Sequence, residues 1–570
     1  MSYRWVFADA PERDLLTKLQ TELNIPENVA RLLSLRGVDT FDKARTFFRP
    51  SLSLIHDPSL MKDMEAASAR LCKAIRNREK VVVYGDYDVD GTTATALMII
   101  FLERFGLEPL YYIPHRFKEG YGISPDGIQF AEEHGADLIV SVDCGITAVE
   151  EAKLIREKGM ELVICDHHTV GGAIPDAVAV LDPKRPDCTY PFDGLSGAGV
   201  AFKLVQATTH RLGLTEKIYA PLLDLVAVSI ASDIVPIVDE NRILMRYGLE
   251  ILNTNPRAGL NELMSVIKME KGQISASSIV FSLGPRINAA GRMGDAAKAV
   301  DLMMASDPKE AQKLAKQLEE INKDRRHTDM KTTRQATQMV ESGHDLENLS
   351  SMVLHHPDWH LGVIGIVASR LVDHFGRPAV MLSTVDGKIK GSARSIKGFN
   401  IYNALKKCDE FLEQFGGHEF AAGLTLKKDA LEPFRKRLDE IAGAMLEQSD
   451  FKPELEIDDR LQIDKIDGKF WKLLHQFEPF GPGNRQPVFV AEGVQIKSPS
   501  IVGKDHLRVK IQQGSSHIFD AIGFNLGGYL DLVKDSSRPL SIAYQIQENH
   551  WMGRRSLQLR LKDIKETGLD

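Results

Sequence analysis

Cysteine is scarce in this 570-residue chain: Cys72, Cys144, Cys165, Cys188 and Cys408 are scattered without paired spacing. That usage argues against a disulfide framework and suits a reducing cytoplasm. Long hydrophobic runs are also missing, since no apolar stretch reaches membrane-spanning length. The opening MSYRWVFADAPERD lacks the basic region and apolar core of a signal peptide, so the expectation is a cytoplasmic protein with no membrane association. Positive charge is not in excess, with 71 Lys and Arg against 79 Asp and Glu for a net charge of −8. This excludes a chain-wide basic surface but leaves room for a local positive groove. Internal repeats and low-complexity tracts are absent. What is there is globular: 43% hydrophobic and 26% charged residues, at a length that exceeds one core and predicts three or four domains.

Acidic and imidazole side chains recur just after apolar, β-branched runs. VVVYGDYDVDG places Asp86, Asp88 and Asp90 at alternate positions, LIVSVDCG delivers Asp143, and ELVICDHH delivers Asp166, His167 and His168. In an open α/β sheet the chemistry sits beyond the C-terminal strand ends, so three such loops converge although about 80 residues separate them. Each motif alone also fits a plainer role: Asp86 as a cap for the helix read at 92–104, Asp143 as a cap beside the better Thr147, the histidine pair as a turn. The same chemistry at three strand ends points instead to metal, because carboxylates this close repel unless a cation lies between them. Asp233, closing LLDLVAVSIASDIVP, completes a set of six, Asp86, Asp88, Asp90, Asp143, His167 and Asp233. Six ligands suit two divalent ions ~4 Å apart, which would activate a water and neutralise charge on a phosphate. Hard carboxylate ligands outnumber Cys144 and Cys165, which are read as small fillers. His168 is read as a donor to the phosphate, and Asp166 as an acceptor that orients an imidazole.

The chain divides into an N-terminal extension (1–50), a mostly parallel α/β domain (51–250), a helical connector (251–345), a second smaller α/β domain (346–450) and a β-rich region (451–570). Strands are expected at 80–84, 138–142, 162–165 and within 177–183, and helices at 92–104, 147–158 and 196–211. A long helix ends the connector, with Leu314, Leu318 and Ile321 on one face. Five β-like runs in the last region suit a small barrel. Phosphate-binding candidates are Arg286, Asn288 and Arg292 in LGPRINAAGRM, His360 before a glycine-rich helix start, and Arg394 beside Ser392 in GSARS, where a guanidinium fork can read a phosphate. Phe519, Phe524, Tyr544 and Trp551 are stacking candidates that fit a barrel core equally well.

The series GDYDVDG, SVDCG, CDHH and ASD resembles the DHH phosphoesterase family, and more closely its RecJ branch of single-strand-specific exonucleases. GLSGAGVAFKL, LGPRINAAGRMGDAAKAV, WHLGVIGIVASRL and GGHEFAAG extend the resemblance over nearly the whole chain. It implies two Mn2+ or Mg2+ ions, with Asp143 as the bridging ligand, His167 as a ligand, His168 near the scissile phosphate, and Asp166 supporting both histidines. It implies that the second α/β domain, with His418 in GGHEFAAG, binds the strand near its terminal phosphate, and that the barrel is an oligonucleotide-binding (OB) fold. The implied activity is 5′-to-3′ hydrolysis of single-stranded DNA to nucleoside 5′-monophosphates, in DNA repair and recombination. A single-strand-binding protein and a helicase are the expected partners, and a monomer the expected state. Two alternatives stay open: a DHH phosphodiesterase for short oligonucleotides or cyclic dinucleotides, and a noncatalytic nucleic-acid-binding protein. The intact ligand set argues against the second, and the long connector and C-terminal β region against the first.

Overall fold

The computed structural model describes residues 3–343, 349–535, 539–551 and 554–568. The chain forms two units, one of Ser51–Glu447 and one that joins Met1–Pro50 to Gln448–Asp570.

In the larger unit, the first sheet is wholly parallel: β1 (Val81–Gly85), β2 (Leu110–Tyr112), β3 (Leu138–Val142), β4 (Glu161–Cys165) and β5 (Ala179–Leu181), in spatial order β2-β1-β3-β4-β5. The centre of the sheet reads as unbroken apolar sequence because both faces are covered. Alternate side chains go to different cores: Val81, Val83, Leu138 and Val140 to one, Val82, Tyr84, Ile139 and Ile164 to the other. The strand order reverses between β1 and β3, and a crevice opens beyond the strand ends at such a point. Asp86 and Asp143 follow those two strands.

Six helices matter to the site: α1 (Val89–Glu103), α2 (Gly197–Arg211), α3 (Leu223–Ser232), α4 (Gly284–Met293), α5 (Pro308–Gly343) and α6 (Leu361–Phe375). Helices α1 and α3 are buried on nearly every side, so their sequences carry no amphipathic period. With 36 residues, α5 is about 54 Å long. Its Leu314, Leu318 and Ile321 pack on the first core, and its Ala336 and Val340 on the core of a second sheet. The expected boundary at 345/346 lies outside the described residues. The second sheet holds β6 (Met352–His355), β7 (Ala379–Val385), β8 (Lys388–Arg394), β9 (Leu412–Gly417) and β10 (Ala421–Leu426), in the order β9-β10-β8-β7-β6. Only its β6–β7 pair is parallel.

In the smaller unit, the five β-like runs form Phe489–Val502, His506–Gln512, Phe519–Gly523, Leu540–Trp551 and Arg554–Glu566. The first three pair in succession, Phe519–Gly523 then pairs in parallel with Arg554–Glu566, and Leu540–Trp551 pairs with both Arg554–Glu566 and Phe489–Val502, closing the ring. The N-terminal residues belong to the same body. Arg4–Phe7 pairs in parallel with Glu454–Ile457, and Leu19, Leu32 and Leu33 share a core with Phe489, Leu507, Ile542 and Leu559. Of the stacking candidates, Tyr544 and Phe519 are buried in that core, Phe524 is exposed, and the side chain of Trp551 lies outside the described residues.

Candidate active site

The first carboxylates are fixed by helix starts. Asp88 caps α1, its Oδ1 accepting from the backbone N–H groups of Asp90 (2.8 Å) and Gly91 (3.1 Å). Asp90 accepts from Gly197 N (2.6 Å) and Ala198 N (2.8 Å) at the start of α2, and from the Ser229 hydroxyl on α3 (2.7 Å). Asp143 ends β3 in the left-handed region at φ 60°, a conformation that Asp tolerates better than bulkier residues. A Cβ at position 197 would lie 2.5 Å from Asp143 Oδ1, so only glycine lets α2 start this close.

His167 is oriented by its far nitrogen. Its Nδ1 lies 3.0 Å from the Leu195 carbonyl, which can only accept, so the proton sits on Nδ1 and Nε2 presents a lone pair. That lone pair faces Asp143 Oδ1 at 3.1 Å, Asp90 Oδ2 at 3.6 Å and Asp233 Oδ2 at 3.7 Å. Asp233 reaches the cluster from the C-terminal end of α3. Among the described residues, potential ligand atoms lie within 4.8 Å of one another in each of three groups: Asp86, Asp88 and Asp143; Asp90, His167 and Asp233; Asp143, His167 and His168.

The cluster fits divalent metal. Burial and neighbouring aspartates push the carboxyls of Asp86, Asp88 and Asp143 upward, and that of Asp233 to about 8. Asp86 Oδ1, Asp143 Oδ1 and His167 Nε2 are buried with no hydrogen-bond partner, an arrangement a native protein rarely leaves unrelieved. A cation accepting these hard oxygen and nitrogen donors removes both defects at once.

His168 is held differently. Its Nδ1 lies 2.8 Å from Asp166 Oδ1, and Asp166 also accepts from the backbone N–H groups of Ile146, His167 and His168. Burial works against a charged imidazole, but the hydrogen bond and charge of Asp166 outweigh it and raise His168 to about 9. Burial works the other way on Asp166, and there the bond to His168 wins and keeps the carboxyl low. Asp166 thus holds the His168 ring with Nδ1 toward the carboxylate and Nε2 turned away from it.

Beside this centre lies a group of half-buried guanidiniums. Burial first, then the nearby Arg116, Arg325 and Arg394, lowers Arg292 to about 10. Burial and Arg116 lower Arg394. Arg394 is braced by Ser392 Oγ (2.9 Å) and the Ala393 carbonyl (2.7 Å), and Arg292 by the Gly362 carbonyl (3.3 Å). Asn288 Oδ1 accepts from Val89 N (3.2 Å), which ties α4 to the start of α1. His360 spends its Nδ1 on capping α6 at Gly362 N (3.0 Å). Arg286 pairs with Glu319 on α5 (2.7 Å), and His418 lies in the exposed turn between β9 and β10. Two residues that the sequence reading passed over lie at the site. Arg116 stands 4.7 Å over the Tyr87 ring and next to Arg292 and Arg394, and the Tyr121 hydroxyl contacts both Asp143 and His168. Both come from the segment after β2, whose three residues give little strand signal.

Comparison with known proteins agrees with this layout. Family models match at residues 80–230 (DHH family, N-terminal domain), 348–444 (DHHA1 domain) and 457–563 (RecJ OB domain). The single-stranded-DNA-specific exonuclease RecJ of Bacillus subtilis is 40% identical over 564 residues, covering 98% of this chain and 70% of that protein. The crystal structure of Thermus thermophilus RecJ in complex with Mn2+ superposes with a TM-score of 0.85 at 28% identity, over 99% of this chain and 80% of that one. Its complex with Mg2+ gives a TM-score of 0.79 at 26% identity, over 99% and 79%. With its parallel sheet, its acidic strand ends and its C-terminal OB domain, this chain belongs to the RecJ family of DHH proteins.

Proposed function

We propose that the chain is a divalent-metal-dependent exonuclease specific for single-stranded DNA, taking the strand from its 5′ end and releasing nucleoside 5′-monophosphates. The observation that carries this reading is the juxtaposition of two unlike parts: a carboxylate and imidazole cluster with unpartnered ligand atoms, and a crowded group of half-buried arginines. Asp86, Asp88, Asp90, Asp143, His167 and Asp233 would hold the two ions, Mn2+ or Mg2+. When bound, the ions supply a nucleophile at neutral pH and neutralise charge on the phosphate. The chain's own residues do the rest. His168, oriented by Asp166, points Nε2 at the phosphate as a hydrogen-bond donor and offsets negative charge as it builds.

Arg116, Arg292 and Arg394, with Ser392 and the Asn288 amide, form a seat for the terminal phosphate. Guanidiniums crowded together repel unless an anion joins them, and a phosphate monoester brings about two charges where a backbone diester brings one. Such a seat favours a strand end over a strand interior, which supports exonuclease action. His360, Arg286 and His418 serve at most as supports around it. The barrel would retain long strands by phosphate contacts and stacking, with no sequence readout. The proposed setting is DNA repair and recombination in the cytoplasm, as a monomer supplied with single strands by a helicase and a single-strand-binding protein.

Digestion of 5′- and 3′-labelled single strands with Mn2+ tests the reading. Early release of labelled mononucleotide from the 5′-labelled strand alone is expected. Cutting of closed circular single strands at the same rate would overturn it.

A further inference from the structure

We propose that Tyr121 is a positioning residue for hydrolysis, its hydroxyl tying the His168 imidazole to the backbone of Asp143. The inference rests on the exonuclease reading above and deepens it.

Tyr121 lies in the segment between β2 and the helix that begins at Pro125. Its neighbours Gly120 (φ 89°) and Gly122 (φ 95°) both adopt the left-handed region, a backbone path open to glycine on either side of the ring. The segment is fastened at both ends. The Glu119 carboxylate accepts from the Tyr112 hydroxyl (2.8 Å), the Ser124 hydroxyl (2.6 Å) and His115 N (2.6 Å), while the Tyr84 hydroxyl donates to the Gly122 carbonyl (3.0 Å). The phenol is thus delivered to one place by an anchored loop.

At that place the hydroxyl meets two partners, the Asp143 carbonyl at 3.2 Å and His168 Nδ1 at 2.9 Å. A carbonyl can only accept, so the phenol proton goes to Asp143. The phenol oxygen is then an acceptor beside Nδ1–H of His168, which it shares with Asp166 Oδ1 at 2.8 Å. The side chain of His168 is 44% exposed, so burial alone does not fix its ring. One acceptor lets an imidazole swing about its hydrogen bond, whereas two acceptors from different elements define the ring plane and the direction of Nε2. The Tyr121 ring adds an edge contact to the imidazole, with centroids 5.3 Å apart. The Asp143 carbonyl serves as the fixed anchor of the hydroxyl, so one group links the ends of β3 and β4.

The test is Tyr121→Phe, which keeps the ring and removes the hydroxyl. On a 5′-phosphorylated single strand with Mn2+, kcat should fall on the order of 10- to 100-fold, the usual effect of losing a partner that orients a reacting group, with KM within about twofold. Fluorescence anisotropy should give the same strand affinity for wild type and variant in the presence of chelator, and Mn2+ affinity by electron paramagnetic resonance should be unchanged. In a His168→Ala background the second substitution should cost nothing further, because the hydroxyl acts through that imidazole. Wild-type kcat in Tyr121→Phe, or the full loss persisting in the His168→Ala background, would overturn the positioning role and leave the exonuclease reading standing. A wild-type protein that binds Mn2+ yet fails to digest the strand would overturn that reading, and this role with it.

Discussion

At the scale of single residues, the raised carboxyls make a stability prediction of definite sign. Asp233 sits near 3.8 when unfolded and at about 8 in the metal-free fold. Between those values the native state binds more protons than the unfolded one, so metal-free stability should fall as pH rises across that window. Calorimetry in chelator should show this decline, and Asp233→Asn should flatten it; equal slopes would contradict the assignment. Asp90 differs from its neighbours in its bonds to Gly197, Ala198 and Ser229. Asp90→Ala should therefore abolish hydrolysis and also cost roughly 1–3 kcal/mol of stability, read as a lower urea midpoint. Asp143→Ala should abolish hydrolysis at least as completely, without the loss of those three hydrogen bonds. The aspartates and histidines were legible in sequence because each follows an apolar run at a fixed offset. Which of them also braces a helix start was not, since that depends on Gly197 and Ser229, more than 100 residues away.

At the scale of elements, the site depends on close approaches that only glycine allows. A Cβ at Gly362, the second residue of α6, would fall 2.1 Å from the Arg292 carbonyl on α4. Gly362→Ala should push the two helices apart and displace Arg292. Strand KM should rise roughly tenfold while Mn2+ binding holds, since uniform binding is what is lost; an unchanged KM would detach Arg292 from substrate capture. Four of the five parallel strands were readable because burial on both faces leaves runs such as VVV and LIV unbroken, whereas Leu110–Tyr112, at the sheet edge, was not. The helix α3 was harder: a helix buried all round shows no period, so its apolar run fixed the place of Asp233 but not the kind of element. Arg116 and Tyr121 went unread for the opposite reason. They stand in a polar, glycine-rich segment after a three-residue strand, where sequence offers no period and charge is the common state of a loop.

At the scale of the whole molecule, the N-terminal extension and the β-rich region share one core. Their association joins positions more than 400 residues apart and left no local trace in the sequence. Deleting 451–570 alone would strip Leu19, Leu32 and Leu33 of their partners, and that variant should aggregate. Removing both 1–50 and 448–570 should leave a soluble body that still cleaves very short oligonucleotides, with the salt-sensitive advantage of long strands reduced. Light scattering and cleavage of strands of graded length would check both. A soluble 1–450 protein with intact long-strand affinity would count against this division of labour.

The chain leaves the smaller unit at Pro50 and returns to it at Gln448. On the ribosome, the first fifty residues therefore emerge with Leu19, Leu32 and Leu33 uncovered, and their partner strands are about 400 residues away. At ~5–20 residues per second that interval is on the order of tens of seconds. The catalytic unit can fold in that time, whereas Leu19, Leu32 and Leu33 must wait, exposed to chaperones and proteases until their partner strands arrive.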